Sequence, residues 1–248
     1  MIRVRLRLVK RWPLILVLLG AIAVAAYVAL SAVARPSSTA YTSERQRMVA
    51  EQLRARDITD EAVLRAMAAV PRHEFVPDEY LSQAYDDHPL PIGYGQTISQ
   101  PYIVAFMTQS AQVQRGDKVL EVGTGSGYQA AVLAQLAGAV YSVEIIPELA
   151  ASARERLDRQ GYSAITTAVR DGYFGWAEHA PYDAIIVTAA PDHVPPSLVE
   201  QLADGGRMVI PVGPPGLYQN LWLIERKGDA LERTSVLPVM FVPLTGAH

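Results

Sequence analysis

The segment from Lys118 to Gln129, KVLEVGTGSGYQ, constrains this chain more than any other. A short apolar run meets glycines at Gly123, Gly125 and Gly127, after which helix-forming residues resume. That order predicts a strand, a tight turn and a helix. Glycine supports the unusual backbone such a turn needs and has no Cβ to hold a ligand away. Glu121 stands just before the turn, and Glu144 closes the next apolar run, AVYSVE. A carboxylate at the end of the second strand is well placed to accept both hydroxyls of a ribose. The two acids therefore point to a nucleoside-type cofactor, against the plainer alternative of a turn that binds nothing.

Glycine spacing separates the candidate cofactors. A dinucleotide fingerprint would put its third glycine at position 128, where this chain has Tyr128. A phosphate-binding loop needs a Gly-Lys-Ser/Thr run, and no lysine lies in the turn. The spacing E-x-G-x-G-x-G instead matches the pattern of methyltransferases that use S-adenosylmethionine, a cofactor with a ribose but no phosphates.

The chain has 248 residues, enough for one α/β domain with a full core, and no cysteine. Disulfides, thiolate metal sites and a cysteine nucleophile are thereby excluded. The net charge of -3 conceals an asymmetry. Arg3, Arg5, Arg7, Lys10 and Arg11 precede the first acid, Glu44. Residues 35–248 thus hold 17 of the 22 basic groups and all 25 acidic ones, a net of -8. An acidic domain is a poor partner for nucleic acid. The five histidines show no metal-ligand spacing, so no metal is expected.

Residues 1–11 form a basic N-terminal segment, and residues 12–34 are an uncharged apolar run of 23. That length spans a bilayer as a transmembrane helix, with the basic cluster keeping the N-terminus cytoplasmic. A cleaved signal peptide is the competing reading, since Ala32-Val33-Ala34 has the form of a cleavage site. Residues 35–43 read as a linker and 44–248 as the catalytic domain. Helices are expected over ERQRMVAEQLRARD, which sets Met48 and Leu53 on one side, and over EAVLRAMAAV. Phe75 to Pro101, rich in proline and glycine, should be largely loop. A helix from Pro101 to about Val113 then precedes strands at Lys118–Glu121, Val140–Glu144, Ile165–Val169, Ala184–Thr188 and Arg207–Val212. Helices alternate with them from Gly127 and Pro147. LWLIER and LPVMFVPLT read as late strands, and Trp176 and Trp222 as core aromatics. Such alternation predicts a mostly parallel, doubly wound sheet.

Further motifs narrow the class: AVPRHEFVP, LPIGYGQTISQP, RDGYFGW, YDAIIVTAAP, LADGGRMVIPVG and FVPLT. With the glycine turn they resemble the protein-L-isoaspartate (D-aspartate) O-methyltransferase family, over roughly Glu44 to Thr245. The resemblance implies the Rossmann-like methyltransferase fold and S-adenosylmethionine as methyl donor. It also implies methylation of the free α-carboxylate of L-isoaspartyl and D-aspartyl residues in damaged proteins, which starts repair through a succinimide. Ser99 then corresponds to the family's active-site serine. Asp171 and Gly172 would meet the adenine, while Pro101, Tyr102 and Thr245 would line the cofactor pocket beside Glu121, Gly123, Gly125, Gly127 and Glu144. The family's usual members are cytosolic and lack a membrane segment.

The chemistry suits these residue types. A carboxylate is already ionised at neutral pH, so an in-line displacement at a sulfonium methyl requires no general base. It requires a held nucleophile and few waters. Hydroxyls orient a carboxylate without neutralising it, a role suited to Ser99 and Thr97, while the small residues around Ala190 and Pro191 admit a peptide backbone. Ser99 also fits a plain helix cap. We expect the soluble domain to be monomeric and its partners to be isoaspartyl proteins and, through the N-terminal helix, the membrane. Two alternatives remain at this point: a methyltransferase of small molecules or RNA, and a tethered cofactor-binding protein without turnover.

Overall fold

The computed structural model of the chain describes residues 38–214 and 216–247. The expected membrane segment lies outside these, and among the described residues no helix is long and apolar enough to cross a membrane. Helix α1 spans Ser38–Arg47, beginning inside the stretch read as a linker. Packing accounts for the difference: Tyr41 is buried, and its ring stacks on that of His73 at 3.9 Å. A π-helical stretch, Met48–Arg54, continues α1. Its wider turn brings residues five apart into line, which is how Met48 and Leu53 share a buried side.

Helix α2 (Glu61–Ala69) is capped by Asp60, whose carboxylate accepts from the N–H groups of Ala62 and Val63 at 2.7 and 3.3 Å. The segment expected to be loop contains an antiparallel hairpin of β1 (Leu90–Gly93) and β2 (Gln96–Ile98). Its corner, Tyr94-Gly95, has φ of 53° and 71°, and positive φ at both central residues suits a two-residue hairpin turn. Leu90, Ile92 and Ile98 bury the hairpin's inner face. Helix α3 (Pro101–Ala111) follows, with proline in its first turn.

Next come β3 (Lys118–Val122), α4 (Tyr128–Ala134), β4 (Ala139–Glu144), α5 (Pro147–Arg159), β5 (Thr166–Val169) and β6 (Tyr182–Val187). Then follow α6 (Pro196–Glu200), β7 (Leu202–Val212), β8 (Gln219–Lys227) and β9 (Ala230–Val239). The larger sheet has the order β5-β4-β3-β6-β7-β8-β9. Its first five members are parallel, and β8 and β9 add antiparallel pairings. From β3 the chain moves outward through β4 and β5, then returns to the other side of β3 for β6. Ligands of such sheets bind at that reversal, beyond the carboxyl ends of the strands.

LPVMFVPLT departs from expectation. Strand β9 stops at Val239; beyond it the Phe241 N–H turns to the Gln219 side-chain oxygen at 2.8 Å, and Pro243 has no N–H to give a ladder. The tail then crosses the end of β6: Ala190 N–H donates to the Val242 carbonyl at 2.8 Å, and Leu244 N–H to the Ala190 carbonyl at 2.9 Å. That crossing carries Val242 to Thr245 to the ligand edge of the sheet. Trp176 is buried and Trp222 half-buried, both in the core on one face of the sheet.

Candidate active site

Residues of β4 hold the glycine turn in place. Gly123 and Thr124 donate their N–H groups to the Val143 carbonyl at 2.8 and 3.1 Å. Gly125 N–H donates to Glu144 Oε2 at 2.8 Å, and Glu144 Oε1 accepts from Ile146 N–H at 3.0 Å. On the far side, the Thr188 hydroxyl donates to the carbonyls of Val122 and Gly123 at 3.0 and 2.8 Å. Gly123 has φ of +97°, and a Cβ there would run into the Thr188 oxygen. Only glycine fits between these neighbours.

A cleft lies over the turn, with about 760 Å³ of space between its walls, open mouth included. Glu121, Gly123 and Gly125 form its floor with Glu144 and Gly172. Thr97 and Ser99 reach it from the hairpin, and Thr245 from the tail. The structure thus unites these eight positions from five separate stretches of sequence. Ser99 is not a helix cap: that position falls on Gln100, and no side chain bonds the first turn of α3. Thr188, Gln129 and Thr124 also line the cleft and were not picked out from the sequence.

The other six named positions lie outside the lining and support it. Pro101 opens α3. Tyr102 turns away, its hydroxyl donating to Asp57 at 3.0 Å and its ring lying 3.4 Å from the Arg56 guanidinium. Gly127, at φ +91°, is the cap of α4. Asp171 accepts from the N–H groups of Tyr173 and Ala247, each at 3.0 Å. Ala190 is buried and holds the tail, while the Pro191 carbonyl accepts from Gly213 N–H at 3.0 Å.

Beneath the turn runs a buried polar chain. The Ser142 hydroxyl donates to Glu121 Oε2, and Thr124 Oγ1 lies 2.6 Å from the Ser142 oxygen. Ser142 sits opposite Glu121 in the strand register and two residues before Glu144. A lone hydroxyl in an apolar strand, in phase with that acid, was the available signal for it. Glu121 is fully buried, and its Oε1 has no hydrogen-bond partner among the described residues. Burial pushes its carboxyl up to about 8; the Ser142 hydroxyl and, more weakly, the Ala130 backbone N–H oppose the rise, and the Glu144 charge adds to it.

A reversal in a parallel sheet, a glycine turn tied to an acid, and a cleft without a lysine in its lining define a Rossmann-like methyltransferase of the S-adenosylmethionine-dependent class. Comparison with known proteins narrows this. The chain belongs to the protein-L-isoaspartate(D-aspartate) O-methyltransferase family, whose profile matches residues 43–248. It is 57% identical over 206 residues to the protein-L-isoaspartate O-methyltransferase of Opitutus terrae, covering 83% of this chain and 88% of that protein. A Polaromonas sp. protein-L-isoaspartate O-methyltransferase 2 is 61% identical over 188 residues, covering 75% and 89%. A solved protein-L-isoaspartate O-methyltransferase superposes with a TM-score of 0.75 at 30% identity, over 82% of this chain and 66% of that one. A beta-aspartate methyltransferase from Plasmodium falciparum, in complex with S-adenosyl-L-homocysteine, gives 0.71 at 25% identity, over 81% and 98%.

The raised Glu121 carboxyl sets a pH dependence of stability. A folded-state value of about 8 against 4.5 favours the protonated form in the folded protein. The resulting stabilisation is complete below about pH 4.5 and is lost as pH rises through about 8. Glu121→Gln, neutral throughout, lacks this term. Urea unfolding at pH 5.5 and 8.5 should show the variant gaining on the wild type at the higher pH by about 1–3 kcal/mol. A constant difference would place Glu121 in an ordinary aqueous setting.

Proposed function

We propose that this chain performs protein-L-isoaspartate O-methylation in the cleft at the carboxyl ends of β3, β4 and β6. The observation that carries the reading is the meeting of the Ser99 and Thr97 hydroxyls with the glycine turn and its two acids in one cleft. When bound, S-adenosylmethionine supplies a methyl group on a sulfonium centre. Glu144 is the ribose acceptor; both of its oxygens hold a backbone N–H yet keep lone pairs to spare. Glu121, which lines the same cleft, lies on the side assigned to the cationic methionine portion. Gly172, where a Cβ would collide with Val122, presents backbone to the adenine side of the cleft, which Thr245 also lines.

The hairpin serves the other reactant. The free α-carboxylate of an isoaspartyl residue arrives already ionised, and hydroxyls of Ser99 and Thr97 hold it by donating hydrogen bonds without taking its charge. No hydrogen bond occupies the Ser99 hydroxyl among the described residues, which leaves it available. The tail and hairpin close over the reacting groups and limit water. The resulting ester is the activated form from which the chain's own amide nitrogen closes a succinimide, the step that permits repair.

The N-terminal segment adds a location. Its 23 uncharged residues suit an uncleaved single span, and the five basic residues before Trp12 favour a cytoplasmic N-terminus, with Glu44 onward outside. Such a protein repairs targets on the outer side of the membrane, and its cofactor must be supplied there.

Three measurements test these assignments. Gly125→Val, a branched residue at φ +52°, and Glu144→Ala should each weaken cofactor binding by calorimetry. Each charge-assisted hydrogen bond lost costs about 1.5–3 kcal/mol, and unchanged affinity in both variants would remove the cofactor assignment. Ser99→Ala should lower kcat on an isoaspartyl peptide about 10–100-fold while leaving stability within ~0.5 kcal/mol. The matched Asp peptide should be inert with either enzyme, and equal methylation of the two peptides refutes the specificity. Protease added to intact spheroplasts should digest the domain; protection until lysis would put it in the cytoplasm.

A further inference from the structure

A second concavity, of about 680 Å³ with its mouth included, lies beside the cleft and has no part in the chemistry above. Strands β7 to β9 and the loop before α6 line it, with Ile224 fully buried at its base. Trp222 pairs with Ile210 and Ile224 with Met208, so Trp222 and Ile224 share one face, and Val212 extends it to the strand end. Arg233, opposite Ile224 on β9, stands at the mouth. The nearby carboxylates Glu225 and Glu232 are taken by Arg207 and Lys227, and Arg233 has no ion pair among the described residues. His193 forms one wall and is held at both ring nitrogens. Asp192 Oδ1 lies 2.5 Å from Nδ1, and the Tyr173 hydroxyl 2.9 Å from Nε2.

We propose that this groove is a subsite for the polypeptide substrate, taking an apolar or aromatic side chain near the isoaspartyl residue, with Arg233 favouring an acidic neighbour. The inference rests on the function proposed above. Continuity with the cleft argues for this occupant. Ala189 lines the cleft and His193 the groove, four positions along the same loop. An extended chain of that length spans about 14 Å at most, so one extended peptide reaches both. The Pro191–Gly213 hydrogen bond ties the loop to the end of β7 and fixes the spacing between the two concavities. Tyr173 follows directly on Gly172 of the cleft, so the His193 wall is anchored to the cofactor side as well.

The test uses the full chain and isoaspartyl peptides of one length. They carry Phe, Leu, Ala or Lys at the second to fourth position on either side, with and without an adjacent Asp. On one side, the Phe and Leu peptides should show KM about tenfold below that of the Ala peptide, with kcat unchanged. Trp222→Ala should abolish that preference and still methylate the Ala peptide at the wild-type rate. Arg233→Glu should cancel the gain from the adjacent Asp and keep the gain from Phe. If Trp222→Ala fails to fold, Arg233→Glu on its exposed strand decides the matter. Equal KM across the series overturns the subsite and leaves the function standing, whereas no methylation of any isoaspartyl peptide overturns both. A sedimenting dimer that Arg233→Glu dissociates would assign the groove to a second copy and overturn the proposal.

Discussion

The Glu144 carboxylate bridges two backbone segments that would otherwise be independent, the glycine turn after β3 and the start of α5. Each oxygen takes one N–H, so the turn cannot shift without leaving a charged acceptor short of a donor at a nearly buried position. The strand register places Glu121 opposite Ser142, one step before the last pairing of β3 with β4. The cleft floor, the position of α4 and the entry to α5 therefore answer to a single side chain. Thr188 closes the same turn from β6, and its contact with Gly123 leaves room for no other residue.

Two glutamates near one cleft behave differently because their surroundings differ. Glu144 is served by backbone donors on both oxygens, while Glu121 is fully buried with the Ser142 hydroxyl on one oxygen and only a weak approach of the Ala130 N–H besides. The second environment favours a proton, because burial outweighs the donors that reach the carboxyl.

Much of this architecture could be read from the chain, for reasons tied to particular residues. The strand–turn–helix at Lys118 to Gln129 was legible because its glycines have few other uses and its flanking periods differ. Pro101 marked a helix start through local chemistry alone. The hairpin at Leu90 to Ile98 was hidden by prolines and glycines that serve equally in a loop; its burial against the domain decides the matter. Tyr102 shows another limit. Sequence placed it beside Ser99 and Pro101, but its direction depends on Asp57 and Arg56, 45 and 46 positions away. Ser142 and Thr188 matter because strands distant in sequence bring them together, and a single strand pattern carries only their parity.

The hairpin that carries Thr97 and Ser99 belongs to a two-stranded sheet of its own, apart from the seven strands that hold the cofactor side. Short two-stranded units have little cohesion by themselves, and this one is secured by the burial of Leu90, Ile92 and Ile98. Warming should therefore loosen it before the central sheet melts. Catalysis would fail at a temperature where the larger sheet still gives its full spectroscopic signal. An enzyme of damaged, ageing proteins would in this way carry its own thermal weak point in the part that holds the damage.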